Sequence, residues 1–175
     1  PQVDATVVET LQRLGQRDDT ALQISAFTHS PLGMGGVRSM SFELAEQCDQ
    51  PMDHVFTQAG GGGMTLAVAE GFLHLVGEGR LDGTPRIECV QPEGNDTIAG
   101  PLRDGAEKAR DIVTTSLISG LQVPHVVDAD EVIQACRDCG GSGHIVSDEE
   151  VWQAQALLGR EEGIFSEPAG AVALA

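Results

Sequence analysis

Four consecutive glycines, Gly60, Gly61, Gly62 and Gly63, are the residues whose type and spacing point most directly to chemistry. His54-Val55-Phe56 before them is a short apolar run suited to a buried strand. After them Met64, Ala67, Val68, Gly71, Phe72, Leu75 and Val76 recur at the spacing of an amphipathic helix. Strand, glycine turn and helix start together form a geometry that binds phosphate. A helix start offers unpaired N–H donors and the positive end of the dipole, and glycine lets the backbone approach an anion closely. The spacing is not the dinucleotide pattern, which alternates its glycines and carries an acid about twenty residues on. No Lys-Ser or Lys-Thr follows, which excludes a Walker loop. A smaller phosphate ester is the natural ligand, and a flexible turn is the alternative.

Other candidates are weaker. Arg38 could hold a phosphate or carboxylate near the turn, or be a surface helix arginine. Glu93, with Asn95 and Asp96, could line a cleft or bind a cation; such residues also favour plain turns. Ser166 and Glu167 precede a proline and could simply cap a helix. Cys136 and Cys139 form a CxxC without a second pair or an HxxxH, so zinc and redox readings lack support and no metal is expected. Cys89, in an apolar run, reads as a buried thiol, and His125 and His144 have no evident partner. Lys108, the single lysine, sits in a polar stretch and reads as a surface residue.

Composition bounds the rest. The 175 residues are 41% hydrophobic and carry a formal net charge of -17. That length and composition can bury a core. The acidic balance argues against nucleic acid and anionic membranes as partners. No apolar run is long enough to span a bilayer, and PQVDATVVETLQRL shows neither a basic start nor an apolar stretch of secretory type. The expected setting is reducing and cytoplasmic.

The elements that must position these residues follow in order. Helices are predicted over 5–17, with Val7, Val8, Leu11 and Leu14 inward, and over 37–48, with Met40 and Leu44 inward; 27–36 is expected to be loop. Short strands are predicted at 21–25, 86–91 and 144–146, with a loop and strand across 113–127. Helices are predicted at 131–139, capped by Asp128 to Asp130, from Ser147 through a capping box with Glu150, and over 169–175. Val151, Ala154, Leu157 and Leu158 form the stripe of the second of these. The order implies an α/β fold, three-layered, with a mostly parallel sheet and helices on both faces.

Several stretches in series resemble the fold-type II, tryptophan-synthase β-like, pyridoxal-phosphate enzymes, and most of all threonine synthases. They are Phe42 to Gln47, Asp53 to Phe72, Pro85 to Gly94, Val146 to Val151, and Glu162 to Ala171 with its Glu-Gly-Ile-Phe-x-Glu-Pro-Ala run. The resemblance implies that pyridoxal 5'-phosphate is the cofactor, its phosphate held by Gly60 to Gly63 with Met64 at the helix start. In the family the stretch of Ser166 and Glu167 lies near the cofactor ring, so these two join Arg38 and Glu93 as candidates for the cleft. It divides the chain into 1–50, part of the small domain, and 51–175, part of the cofactor-binding large domain. It implies a small amino-acid substrate, a lyase activity of elimination or replacement, and a homo-oligomer.

The chain departs from that family in three places. No Ser-x-Lys segment precedes Val37, so the covalent lysine anchor is not in this sequence, and no catalytic residue is assigned within it. The Ser or Thr that the family sets against the pyridine nitrogen is missing too. The chain therefore reads as an inactive part of an enzyme. In the stretch Ser30 to Ser39, Gly33 falls where threonine synthases carry a phosphate-gripping arginine. Asp53 to Gly60 also resembles diaminopropionate ammonia-lyase, so ammonia elimination stays open. A non-catalytic phosphate-binding domain is the reading from a different class.

Overall fold

A computed structural model describes residues 5–20 and 24–175, except the side chains of Ala5 and Val8. Three parallel strands stand in the order β1-β2-β3: His54–Gln58, Arg86–Pro92 and Gly143–Val146. Val55 faces Ile87 in the first pairing, and Val90 faces His144 in the second. Parallel neighbours need crossovers, and helices supply them.

The crossovers and flanks are α1 (Ala5–Gly15), α2 (Pro31–Gly36), α3 (Ser39–Gln47), α4 (Gly63–Gly77), α5 (Ala99–Arg103), α6 (Ala129–Asp138), α7 (Asp148–Leu157) and α8 (Pro168–Ala171). Alternate residues of a strand point to opposite faces. Ile87 and Cys89 of β2 therefore pack into a core with Leu66, Phe72 and Leu75 of α4 and Val132 and Ile133 of α6. Val90 points the other way, into a second cluster with Val151 and Ala154 of α7 and Ala169 and Val172. The architecture is three-layered α/β, as expected.

Three devices fix how the helices meet the sheet. Ser147 accepts from Glu150 N–H while the Glu150 carboxylate accepts from Ser147 N–H, closing the expected capping box of α7. Gly71 lets α3 lie against α4, because a Cβ there would come within 2.7 Å of Ser41 Oγ. That buried hydroxyl donates to Val68 O at 2.7 Å. Gly140, with φ 69, ends α6.

Several local expectations are corrected. Residues 31–36 are helical, with Pro31 in the first turn, where its missing N–H costs nothing. In α3, Met40 is exposed and Ser41 is buried in its place. β1 leaves Phe56 49% exposed, so this strand is not buried on both faces. Residues 113–127 hold no strand; they are extended coil around a single 3-10 turn, Ser119–Leu121, with Val113 and Leu117 exposed. The last helix stops at Ala171, and Leu157 faces solvent. On α1, Val7 is exposed while Leu11 and Leu14 are half-buried. Most of the strand expected at 21–25 lies outside the described residues, and Ile24 and Ser25 belong to no strand. Among the described residues no helix is long and apolar enough to cross a membrane.

Candidate functional site

The glycine turn leaves the C-terminal end of β1 and opens α4. Crevices at such strand ends are where open α/β sheets bind ligands. Gly62 is the N-cap of α4, with φ 91, a left-handed conformation that side chains rarely adopt. A Cβ there would lie 2.5 Å from Val132 Cγ2, so packing against α6 also demands glycine. At Gly63 a Cβ would meet Met34 Cε at 2.8 Å, and at Gly60 Val123 Cγ2 at 3.2 Å. Gly61 is roomier, with its nearest neighbour, Val123, at 3.8 Å. The quartet is therefore a tight fold-determining turn as well as a possible cradle.

What the turn can hold follows from its donors. Among the described residues, the N–H groups of Gly60, Gly61 and Gly62 donate to no protein acceptor. The first turn of α4 adds further unpaired donors and carries no acidic side chain. A cavity of about 270 Å³ opens beside Gly61, bordered by Ile24, His29, Val123, His125 and Val127. Free backbone donors, a helix start and adjoining space fit a phosphate ester with an organic body.

Two buried amides from the end of β2 support the turn. Gln91, fully buried, donates to Ala59 O at 3.2 Å, to Gly60 O at 3.3 Å and to Thr97 Oγ1 at 3.1 Å. Its Oε1 accepts from Ile98 N–H and Ala99 N–H, both at 2.8 Å. Asn95 donates to Leu121 O and accepts from Thr114 Oγ1, holding the segment that covers Gly60. Sequence reading placed Gln91 in a strand and Asn95 in a turn, with no signal that either would brace the glycines.

The remaining candidates are dispersed. Arg38 is engaged by Glu70, with Nε donating to Oε2 at 2.9 Å, and lies over the Phe27 ring. Glu93 is exposed, and its N–H donates to Val146 O at 2.7 Å. With Asn95 occupied and Asp96 paired to Arg110, the three oxygen donors do not converge; no metal cluster occurs among the described residues. Glu167 is the exposed N-cap of α8. Ser166 Oγ is a buried atom without a partner. Close by, α8 packs against Gly120, where a Cβ would stand 2.8 Å from Ala169 Cβ. Lys108 is exposed, as expected.

The histidines sort differently from expectation, while Cys89 stands where expected. His144 has a partner after all: Glu88, only 5% exposed, lies between His54 Nδ1 at 2.8 Å and His144 Nε2 at 3.0 Å and accepts from Ser142 N–H. His125 Nδ1 stands 3.7 Å from Asp111. Cys89 is buried, and Cys136 and Cys139 are buried free thiols rather than a reactive pair. Burial pushes the Cys136 thiol up to about 12, and the Cys139 and Cys89 thiols upward too.

Residues 2–175 match the family described as pyridoxal-phosphate dependent enzyme. Threonine synthase from Methanocaldococcus jannaschii is 30% identical over 151 residues, covering 83% of this chain and 36% of that protein. The Methanosarcina acetivorans threonine synthase is 31% identical over 152 residues, with the same coverage. The chain thus spans little more than a third of these relatives. Among solved structures, threonine deaminase isoform 2 from Solanum lycopersicum superposes with a TM-score of 0.66 at 22% identity, over 83% of this chain and 39% of that one. Diaminopropionate ammonia lyase from Escherichia coli gives 0.65 at 21% identity, over 97% and 42%. With sheet order, glycine turn and family match in agreement, the chain belongs to the pyridoxal-phosphate dependent enzymes, in their fold-type II branch.

Proposed function

We propose that this chain is the phosphate-holding part of a lyase of the threonine synthase type, acting by β- or γ-elimination or replacement on a small amino acid. The observation that carries the reading is the glycine turn itself: free N–H groups of Gly60, Gly61 and Gly62 at the start of α4, beside a cavity. Gly60 to Gly63 and Met64 hold the cofactor phosphate, and the helix dipole stabilises its charge. When bound, pyridoxal phosphate supplies an electron sink for carbanion chemistry at the substrate α-carbon. Val123 and Val127 present an apolar wall that limits water beside it.

A second reading concerns the substrate. Arg38 is committed to Glu70, and among the described residues neither lysine nor arginine borders the cavity beside Gly61. Both points favour an unphosphorylated amino acid, as in ammonia elimination, over a phosphorylated one. The test is titration with pyridoxal phosphate and with pyridoxal, followed by ligand absorbance. We expect the phosphate ester to bind at least about tenfold more tightly, from charge-assisted hydrogen bonds. Equal affinities would overturn the assignment.

A further inference from the structure

Gln91 is fully buried, where an amide could in principle face either way. Its orientation is nonetheless fixed. Oε1 is taken by two N–H donors at the start of α5, Ile98 and Ala99. Nε2 must then face Ala59 O, Gly60 O and Thr97 Oγ1, which its two hydrogens share. No cis peptide occurs in the described chain. In a trans peptide the carbonyl and the following N–H point in opposite directions. A side chain that draws in the carbonyls of Ala59 and Gly60 therefore turns the N–H groups of Gly60 and Gly61 outward.

We propose that Gln91 is the positioning residue that aims the Gly60 and Gly61 N–H groups at the cofactor phosphate. The inference rests on the glycine turn being the phosphate site and adds the device that presets it. Preset donors need no reorganisation on binding, which is what makes a backbone anion site effective. Gln91→Glu keeps an acceptor for Ile98 and Ala99 but sets a carboxylate against two carbonyls, which favours rotation of those peptide planes. Gln91→Met removes the donor without adding charge.

The experiment records amide proton–nitrogen spectra of the full chain titrated with inorganic phosphate, for the native protein and both variants. In the native protein the Gly60 and Gly61 resonances are expected to move downfield. In the variants phosphate affinity falls about tenfold, those two shifts are lost, and the shifts of Gly63 and Met64 persist. Pyridoxal, which lacks the phosphate, binds all three proteins equally, an equality that a merely unfolded variant would not show. A folded variant with native phosphate affinity overturns the role of Gln91. So do native shifts confined to Gly62, Gly63 and Met64, a readout that holds even if neither variant folds. Absence of any shift from Gly60 to Met64 in the native protein overturns the phosphate site itself.

Discussion

Asp128 holds Thr28 twice: Oδ1 accepts the backbone N–H at 3.0 Å and the hydroxyl at 2.8 Å, across 100 residues of sequence. Oδ2 accepts Phe27 N–H at 2.6 Å. Asp128 precedes α6, but its side chain does not cap that helix, contrary to the sequence expectation. Its hydrogen bonds instead pin the segment that borders the cavity. Asp128→Ala leaves two backbone donors without their acceptor and should cost about 2–4 kcal/mol in urea unfolding, whereas Thr28→Val should cost about 1 kcal/mol. Equal, small effects would show that the clasp is not formed in solution.

Gly62→Val should fail to fold or lose about 3 kcal/mol or more, because it combines a left-handed φ with a clash at Val132. It is therefore unsuited to probing phosphate binding. Gly61→Ala is the informative change. Its methyl meets ordinary contacts at 3.8–3.9 Å, so thermal denaturation should move by no more than a few degrees. Pyridoxal-phosphate affinity should fall about tenfold as the space beside the turn narrows.

Glu88 sets a pH dependence. Burial raises its carboxyl, but His144, His54 and the Ser142 N–H together outweigh that and hold it below the usual value. A depressed carboxylate contributes stability above its unfolded pKa and loses it as pH falls through the folded value. The stability gap between the native chain and Glu88→Gln should be full above about pH 5 and shrink below about pH 4. Urea unfolding across that range measures it; a gap independent of pH would contradict the lowered Glu88 carboxyl.

Thiol reactivity separates the four cysteines. Cys48 is exposed, while Cys89, Cys136 and Cys139 are buried, and the burial that raises their pKa also blocks access. Titration of the folded chain at pH 8 with an aromatic disulfide reagent should release one equivalent quickly and the remainder only in denaturant. Rapid release of a second equivalent would reopen the redox reading of Cys136 and Cys139.

Legibility in the sequence followed the range of the interactions. The capping box of Ser147 and Glu150, the helix opened by Gly63 and the strand around Cys89 are local patterns, and they stand where expected. The sequence did not reveal Gln91 bracing Gly60, Glu88 between two histidines, or Asp128 on Thr28. Each depends on strand register or on a crossover that brings distant residues together. Met40 failed for a related reason. The face that α3 buries is chosen by Gly71 on its neighbour, and a small polar residue, Ser41, fits that close approach better than methionine.

The parallel sheet carries one last consequence, for how the chain reaches this state. Arg86 must find His54, and Gly143 must find Cys89, before either strand pair gains a hydrogen bond. Long loops close first and are rewarded afterwards, a sequence of events that slows refolding relative to a helical bundle of equal length. Until it is complete, Val55, Ile87 and Val90 remain open to sticky encounters between chains, so dilution and low temperature should raise the refolding yield.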